Sequence, residues 1–279
     1  MKNETVLITG SSSGIGMHMA HEFARNGHPL VLVAPVEAEL REVAQQLKQF
    51  NGGADAIVIA KDLEQSNAAQ EIFDELKRRN IDIEILVNNA GHGQLGKFWE
   101  IPLERDLSVL RLNIEAVVRM TKLFLPPMLA RKRGRILNTA SVAGFEPGPR
   151  LALYHATKAF VLSLTESLAS ELEQTGITVT ALCPGPTDTD FFPKADMMET
   201  RAFQHAMAPQ DVAVAAYKAC MSGQRVMVPG GMNKVLVGAR RVLSEEAQAK
   251  MNEKFYDELP AEKQKYDRGD METKAAQEH

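Results

Sequence analysis

The 279 residues predict an α/β fold: one seven-stranded, doubly wound parallel sheet with helices on both faces. Three observations carry this. Seven short runs rich in Val, Ile and Leu recur along the chain without strict polar–apolar alternation, as in strands buried on both faces. Stretches of helical length and periodicity separate them, an alternation that calls for parallel pairing with right-handed crossovers. A glycine-rich turn follows the first run and leads into the first helical stretch.

In chain order, Val6 to Thr9 is the first strand, Thr9-Gly10-Ser11-Ser12-Ser13-Gly14-Ile15-Gly16 the turn, and His18 to Asn26 the helix behind it. Leu30 to Ala34 is the second strand. Glu39 to Phe50 then sets Leu40, Val43, Ala44 and Leu47 on one helical face. Ala56 to Ala60 is the third strand, followed by Ala69 to Arg79 with Ile72, Phe73 and Leu76 on its inner face. Ile83 to Asn88, Arg135 to Thr139, Ile177 to Cys183 and Arg225 to Val228 complete the sheet. Residues 1–240 read as one domain. Residues 241–279 read as a charged tail, helical or partly disordered, in which Glu245 to Glu258 is an exposed helix.

Composition narrows the function classes. With 44% hydrophobic and 24% charged residues, the chain can bury a large core without staples. A net charge of −4 offers no basic surface for nucleic acid, and the cluster Arg131, Lys132, Arg133, Arg135 reads as a solvated helix end before a strand. Cys183 and Cys220 form neither a disulfide framework nor a metal-ligand spacing, which points to a reducing compartment. No signal peptide and no membrane-length apolar run are evident. The expectation is a cytoplasmic protein with no metal, membrane or nucleic-acid partner.

The glycine turn is the first chemical signal. Glycines between a strand and a helix let backbone N–H groups approach a phosphate, and the helix N-terminus adds partial positive charge. On this reading a side chain at Gly14 or Gly16 would fill the space the phosphates approach and leave the protein folded.

Further motifs follow in order and at regular spacing: Asn88-Asn89-Ala90-Gly91 ending the fourth strand, Asn113 in the long central helix, Ser141 after the fifth strand, Tyr154-His155-Ala156-Thr157-Lys158, and Pro184-Gly185-Pro186-Thr187-Asp188-Thr189 after the sixth. Over about residues 4–230 the chain resembles the short-chain dehydrogenase/reductase family, in particular its bacterial reductases of unassigned substrate. The resemblance implies a seven-stranded Rossmann sheet, assembled as a homodimer or homotetramer. It also implies a nicotinamide cofactor held by Gly10, Ser12, Ser13, Gly14, Ile15, Gly16, Ala34, Pro35, Asp62, Leu63, Asn89, Ala90, Gly91, Tyr154, Lys158, Pro184, Gly185, Thr187 and Thr189, with Asp62 near the adenine. The catalytic set it implies is Asn113, Ser141, Tyr154 and Lys158, and the implied reaction interconverts a ketone or aldehyde and an alcohol.

The chemistry asks for these residue types. A carbonyl accepting hydride needs a proton on its oxygen, which a tyrosine can give, and an ammonium one helical turn away would lower the tyrosine's pKa. Ser141 would hydrogen-bond the substrate oxygen. Lys158 would also hold the cofactor ribose, and Asn113 a water linking Lys158 to solvent, as the resemblance implies. Taken singly, a Tyr-x-x-x-Lys pair is ordinarily a surface pair and a serine after a strand a helix cap. Their joint order argues otherwise. A regulatory nucleotide-binding protein that has kept the fold is the alternative, and such proteins usually lose the tyrosine or the lysine. A nucleotide-sugar epimerase or dehydratase would carry a different glycine spacing.

His92, His18 and His155 read as structural. Phe98, Trp99, Phe191 and Phe192 read as pocket walls, and Phe191 to Met207 as a mobile lid over an apolar substrate. For cofactor choice, Ala34 lacks the acid that binds a ribose 2′-OH and Pro35 lacks the arginine that binds a 2′-phosphate. Lys61 or Arg41 could supply charge. The balance favours NADP(H), with NAD(H) as the other choice.

Overall fold

The computed structural model describes residues 4–50, 56–204, 206–239 and 243–259. Seven strands form one parallel sheet in the order β3-β2-β1-β4-β5-β6-β7. They are β1 (Val6–Thr9), β2 (Leu30–Ala34), β3 (Ile57–Ala60), β4 (Ile85–Asn88), β5 (Gly134–Thr139), β6 (Ile177–Leu182) and β7 (Val226–Met227). Strand order reverses beside β1, whose neighbours are β2 and β4, and this opens a crevice at the carboxyl edge.

The absence of alternation has a simple cause: successive residues serve two cores. Val6 and Ile8 of β1, with Leu30 and Leu32 of β2, pack under α1 (Gly14–Arg25), α2 (Glu37–Leu47) and α9 (Pro209–Ser222). Leu7, Val31 and Val33 point the other way. They meet α3 (Ala68–Arg78), α5 (Ala116–Arg131) and the far end of α6 (Ala152–Glu171), through Ile72, Leu76, Met120, Phe124 and Ala169. Each strand side chain is buried whichever way it points.

The central helix is interrupted. α4 (Leu103–Leu110) runs into a π-helical turn at Arg111–Glu115 before α5 begins, and Asn113 sits within that turn. The arginines of the basic cluster are paired rather than merely solvated: Arg131 with Asp82 at 2.7 Å, Arg133 with Glu84 at 3.4 Å, Arg135 with Glu4 at 3.5 Å. Beyond β6 lie two short helices, α7 (Phe191–Lys194) and α8 (Arg201–Gln204), and beyond β7 come α10 (Gly231–Ala239) and α11 (Glu245–Phe255). The helix expected in the tail is present, but it is not simply exposed. Gln248 and Asn252 are buried, as is Tyr256 just past its end. Among the described residues no helix is long and apolar enough to cross a membrane.

Candidate active site

The crevice at the β1–β4 reversal is continuous with a cavity of about 910 Å³. Its walls hold Gly10, Ser12, Ser13, Gly14, Ile15, Ala34, Pro35, Asp62, Leu63, Asn89, Ala90, Gly91, Ser141, Tyr154, Lys158, Pro184, Gly185, Thr187 and Thr189. Of the residues expected from the sequence, Gly16 and Asn113 are not in the wall.

Gly16 serves the turn from behind. Gly10 and Gly14 take left-handed backbone (φ 63° and 53°), which reverses the chain between β1 and α1. A Cβ on Gly16 would sit 2.0 Å from the Gly10 carbonyl oxygen and 2.5 Å from Asn89 Nδ2. The expectation that a side chain here would intrude only on phosphate space is therefore corrected: it would collide with the loop itself. At the N-terminus of α1 the Ser13 side chain makes no capping bond and the first turn carries no acid. That end is electrostatically suited to an anion.

Asn113 is 1% exposed and its polar atoms have protein partners. Its Nδ2 donates to the His92 carbonyl at 2.9 Å and to Thr157 Oγ1 at 3.0 Å, and its Oδ1 accepts from the His92 N–H at 3.0 Å. Its side chain thus ties the loop after β4 to α6.

Tyr154, Ser141 and Lys158 converge. Ser141 Oγ accepts the Ala143 N–H at 3.1 Å and donates to the Pro184 carbonyl at 3.3 Å. It is both a cap, for the 3₁₀ turn Val142–Phe145, and part of the cavity wall. Lys158 is no surface lysine: it is 5% exposed, its Nζ donates to the Thr139 carbonyl at 2.9 Å and lies 5.5 Å from the centroid of the Tyr154 ring. Burial pulls Lys158 down to about 8. Burial also pushes the Tyr154 hydroxyl up to about 12, against a smaller downward pull from the Ser141 side chain. The spacing alone predicted a lowered tyrosine, and the opposite sign follows because desolvation outweighs the other contributions.

The cofactor-choice region is balanced. Glu39 reaches the cavity wall beside Ala34, Pro35 and Val36, and Lys61 is there too but already paired with Glu71 at 2.5 Å. Arg41 is engaged by Glu37 on the surface, at 2.6 Å. His92 faces the cavity, with Nε2 2.9 Å from Ser108 Oγ and 3.6 Å from Glu64, and burial holds its pKa below the usual histidine value. Among the described residues no group of His, Cys, Asp and Glu could hold a metal.

Beyond Tyr154 the wall gathers the apolar residues Leu151, Phe191, Phe192, Met197 and Ala202, with Asp190, Lys194, Asp196 and Asn252 also in the lining. The segment after Asp190 is tightly packed, with Phe192, Met197 and Phe203 each at most 5% exposed. Phe98 and Trp99 are 62% and 78% exposed and lie outside the wall, which corrects their assignment to it. The sequence reading missed Asn252, Phe255 and Tyr256, which close the same end. An aromatic pair ending an otherwise charged helix was the only available signal.

The chain matches the short chain dehydrogenase family model over residues 4–200. It is 34% identical over 208 residues to an uncharacterized oxidoreductase of Staphylococcus epidermidis, covering 73% of this chain and 86% of the relative. Among solved structures, a short-chain dehydrogenase from Sphingobium yanoikuyae in complex with NADPH superposes with a TM-score of 0.76 at 34% identity, covering 86% of this chain and 94% of that one. A short chain dehydrogenase/reductase from Burkholderia phymatum in complex with NAD gives 0.77 at 26% identity, covering 92% and 98%.

Proposed function

The chain belongs to the short chain dehydrogenase family and is an NAD(P)-dependent oxidoreductase, and from that premise we propose that it reduces ketones or aldehydes to alcohols with Tyr154 as the proton donor. The observation that carries this reading is the convergence of Tyr154, Ser141 and Lys158 on one cavity whose other arm reaches the N-terminus of α1. A bound nicotinamide supplies hydride to the carbonyl carbon, or accepts it in the reverse direction.

What the chain's own residues do is hold and move the proton. With a pKa of about 12, the Tyr154 hydroxyl is protonated and neutral throughout the neutral range, so its proton is available for general-acid transfer. As its proton passes to the substrate oxygen, a phenolate forms and is later reprotonated from solvent. The Lys158 ammonium, 5.5 Å from the ring, and the Ser141 hydroxyl stabilise that charge. Asn113, as a positioning residue, holds the Asn89–Gly91 loop against α6. The turn Gly10–Gly14 and the α1 N-terminus are shaped for the cofactor's phosphates, and Asp62 and Leu63 for its adenine end.

For cofactor choice the reading is NADP(H) with only modest discrimination. Ala34 withholds the acid, Pro35 withholds the arginine, and Glu39 and Lys61 act in opposite senses at the same edge. The test is a panel of carbonyl compounds assayed with each reduced cofactor, on wild type and Tyr154→Phe. Removing the hydroxyl is expected to lower kcat by about 10²–10⁴ and leave cofactor affinity within a few-fold. Turnover within a few-fold of wild type would overturn the assignment of Tyr154.

A further inference from the structure

The C-terminal helix α11 poses a physical problem. Its two buried residues, Gln248 and Asn252, are polar, and Met251 is 49% exposed, so no apolar stripe docks it. The preceding α10 has no buried residue among those described. What fixes the segment comes at its end. Tyr256 is 7% exposed and sits among Leu151, Phe192, Met197 and Phe203, with its ring edge-on to His155 at 5.8 Å.

The polar contacts of this end run to two other cavity walls. Toward α6, His155 Nε2 meets Tyr256 Oη at 2.7 Å, Arg150 Nη1 donates to the Tyr256 carbonyl at 2.9 Å, and Asn252 Nδ2 donates to the Pro147 carbonyl at 2.8 Å. Toward α7 and α8, the Leu259 N–H donates to the Glu199 carbonyl at 2.8 Å and the Arg201 N–H to the Asp257 carbonyl at 3.2 Å. The direction of the central bond is determined. His155 Nδ1 lies 2.8 Å from the Glu146 carbonyl, which only accepts, so Nδ1 carries the hydrogen and Nε2 accepts from the Tyr256 hydroxyl. The ring has been given room: a Cβ on Gly148 would lie 2.1 Å from His155 Nε2. His155 is the immediate neighbour of Tyr154 on α6, so the strap is pinned one residue from the proton donor.

We propose that the Tyr256–His155 hydrogen bond is a latch that makes the C-terminal segment the outer wall of the substrate cavity, and that this wall selects carbonyl compounds with bulky apolar substituents. The inference deepens the carbonyl-reductase reading and rests on it. Phe255 and Tyr256 from the strap face Leu151, Phe191, Phe192 and Met197, giving an aromatic-lined chamber beyond Tyr154. A ring-bearing substituent buries its surface there, whereas a small ketone leaves that surface unused.

The test uses the full chain with reduced cofactor present, and it reads binding rather than turnover. Diphenyl ketone and cyclohexanone are titrated calorimetrically into wild type, Tyr256→Phe and Phe255→Ala, and amide hydrogen exchange is followed over residues 199–201 and 257–259. Tyr256→Phe, which keeps the ring and loses the latch proton, is expected to cut the preference for diphenyl ketone at least tenfold and speed exchange at both segments at least tenfold. Phe255→Ala, which trims the wall and keeps the latch, should cut the preference with wild-type exchange. Wild-type exchange or wild-type preference in Tyr256→Phe overturns the proposal, as does a wild type that does not prefer diphenyl ketone. If wild type binds diphenyl ketone but reduces no carbonyl, the functional reading fails while the latch stands.

Discussion

Lys158→Met is expected to stabilise the fold at pH 7 while removing function. The wild-type ammonium is 5% exposed, and burial brings its pKa from 10.5 to about 8. At ~1.36 kcal/mol per pH unit, the folded state disfavours the charged form by roughly 3 kcal/mol. Methionine has similar length and no charge, so it removes that penalty and packs in the same space. It also leaves the Thr139 carbonyl, now 2.9 Å from Nζ, without this donor, at a cost of about 1–2 kcal/mol. The net gain at pH 7 is about 1–2 kcal/mol. Its pH dependence is set by linkage. Between pH 8 and 10.5 the unfolded chain keeps a proton that the folded chain has released, so wild-type stability rises with pH across that window. The variant's advantage should shrink over the same range, vanish near about pH 9 and reverse to a deficit of about 1–2 kcal/mol by about pH 10.5. Urea denaturation of both proteins at pH 7, 8.5 and 10.5 measures it, the difference between them cancelling other titrating groups. A variant less stable than wild type at pH 7, or an advantage that persists unchanged to pH 10.5, would refute the reasoning.

Three further outcomes are expected. Gly16→Ala should cost about 1–3 kcal/mol in urea denaturation as well as weakening cofactor binding, because its methyl meets the Gly10 carbonyl; wild-type stability would show that the loop yields freely. Ala34→Asp should shift the ratio of catalytic efficiencies toward NADH by about ten- to a hundredfold at fixed salt, and an unmoved ratio would place cofactor choice elsewhere. His21, buried against α2 and held down to about 4 chiefly by burial and next by His18, lends stability that is complete above about pH 6.5 and lost as pH falls through 4, of order 2–3 kcal/mol. His21→Leu should flatten that part of the stability–pH profile, and an unchanged slope would exclude His21 as its source.

The sheet was legible because its strands are buried on both sides. Where Val6 and Leu7 face opposite cores, composition alone marks a strand, and only the ends shift by a residue or two. The glycine turn and the motifs after β4, β5 and β6 located the cavity wall because each sits at a strand's carboxyl end, whereas Tyr154 and Lys158 reach it from α6. What the sequence hid depends on distances across the fold. Tyr154 and Lys158 are one turn apart, but the sign of the tyrosine's shift depends on how much of the protein surrounds it. Asn113 reads as a site residue by position, yet its partners, His92 and Thr157, come from other elements. Phe98 and Trp99 resemble Phe255 and Tyr256 as aromatic pairs, and nothing local tells the exposed pair from the one in the cavity wall.

The π-helical turn at Arg111–Glu115 amounts to one surplus residue spliced into a helix. Each α-helical residue advances about 100° around the axis, so the splice throws α4 and α5 out of phase by about that angle. The two halves can then aim their buried residues at different targets: Asp106 and Val109 upstream, Val117, Met120, Thr121, Phe124 and Met128 downstream. A single-residue deletion in the turn would leave every remaining side chain chemically intact. It would nonetheless rotate one half against the other and trade a site defect for a packing defect spread along the whole rod. Chain length at this point is therefore as much a determinant of the site as the identity of Asn113.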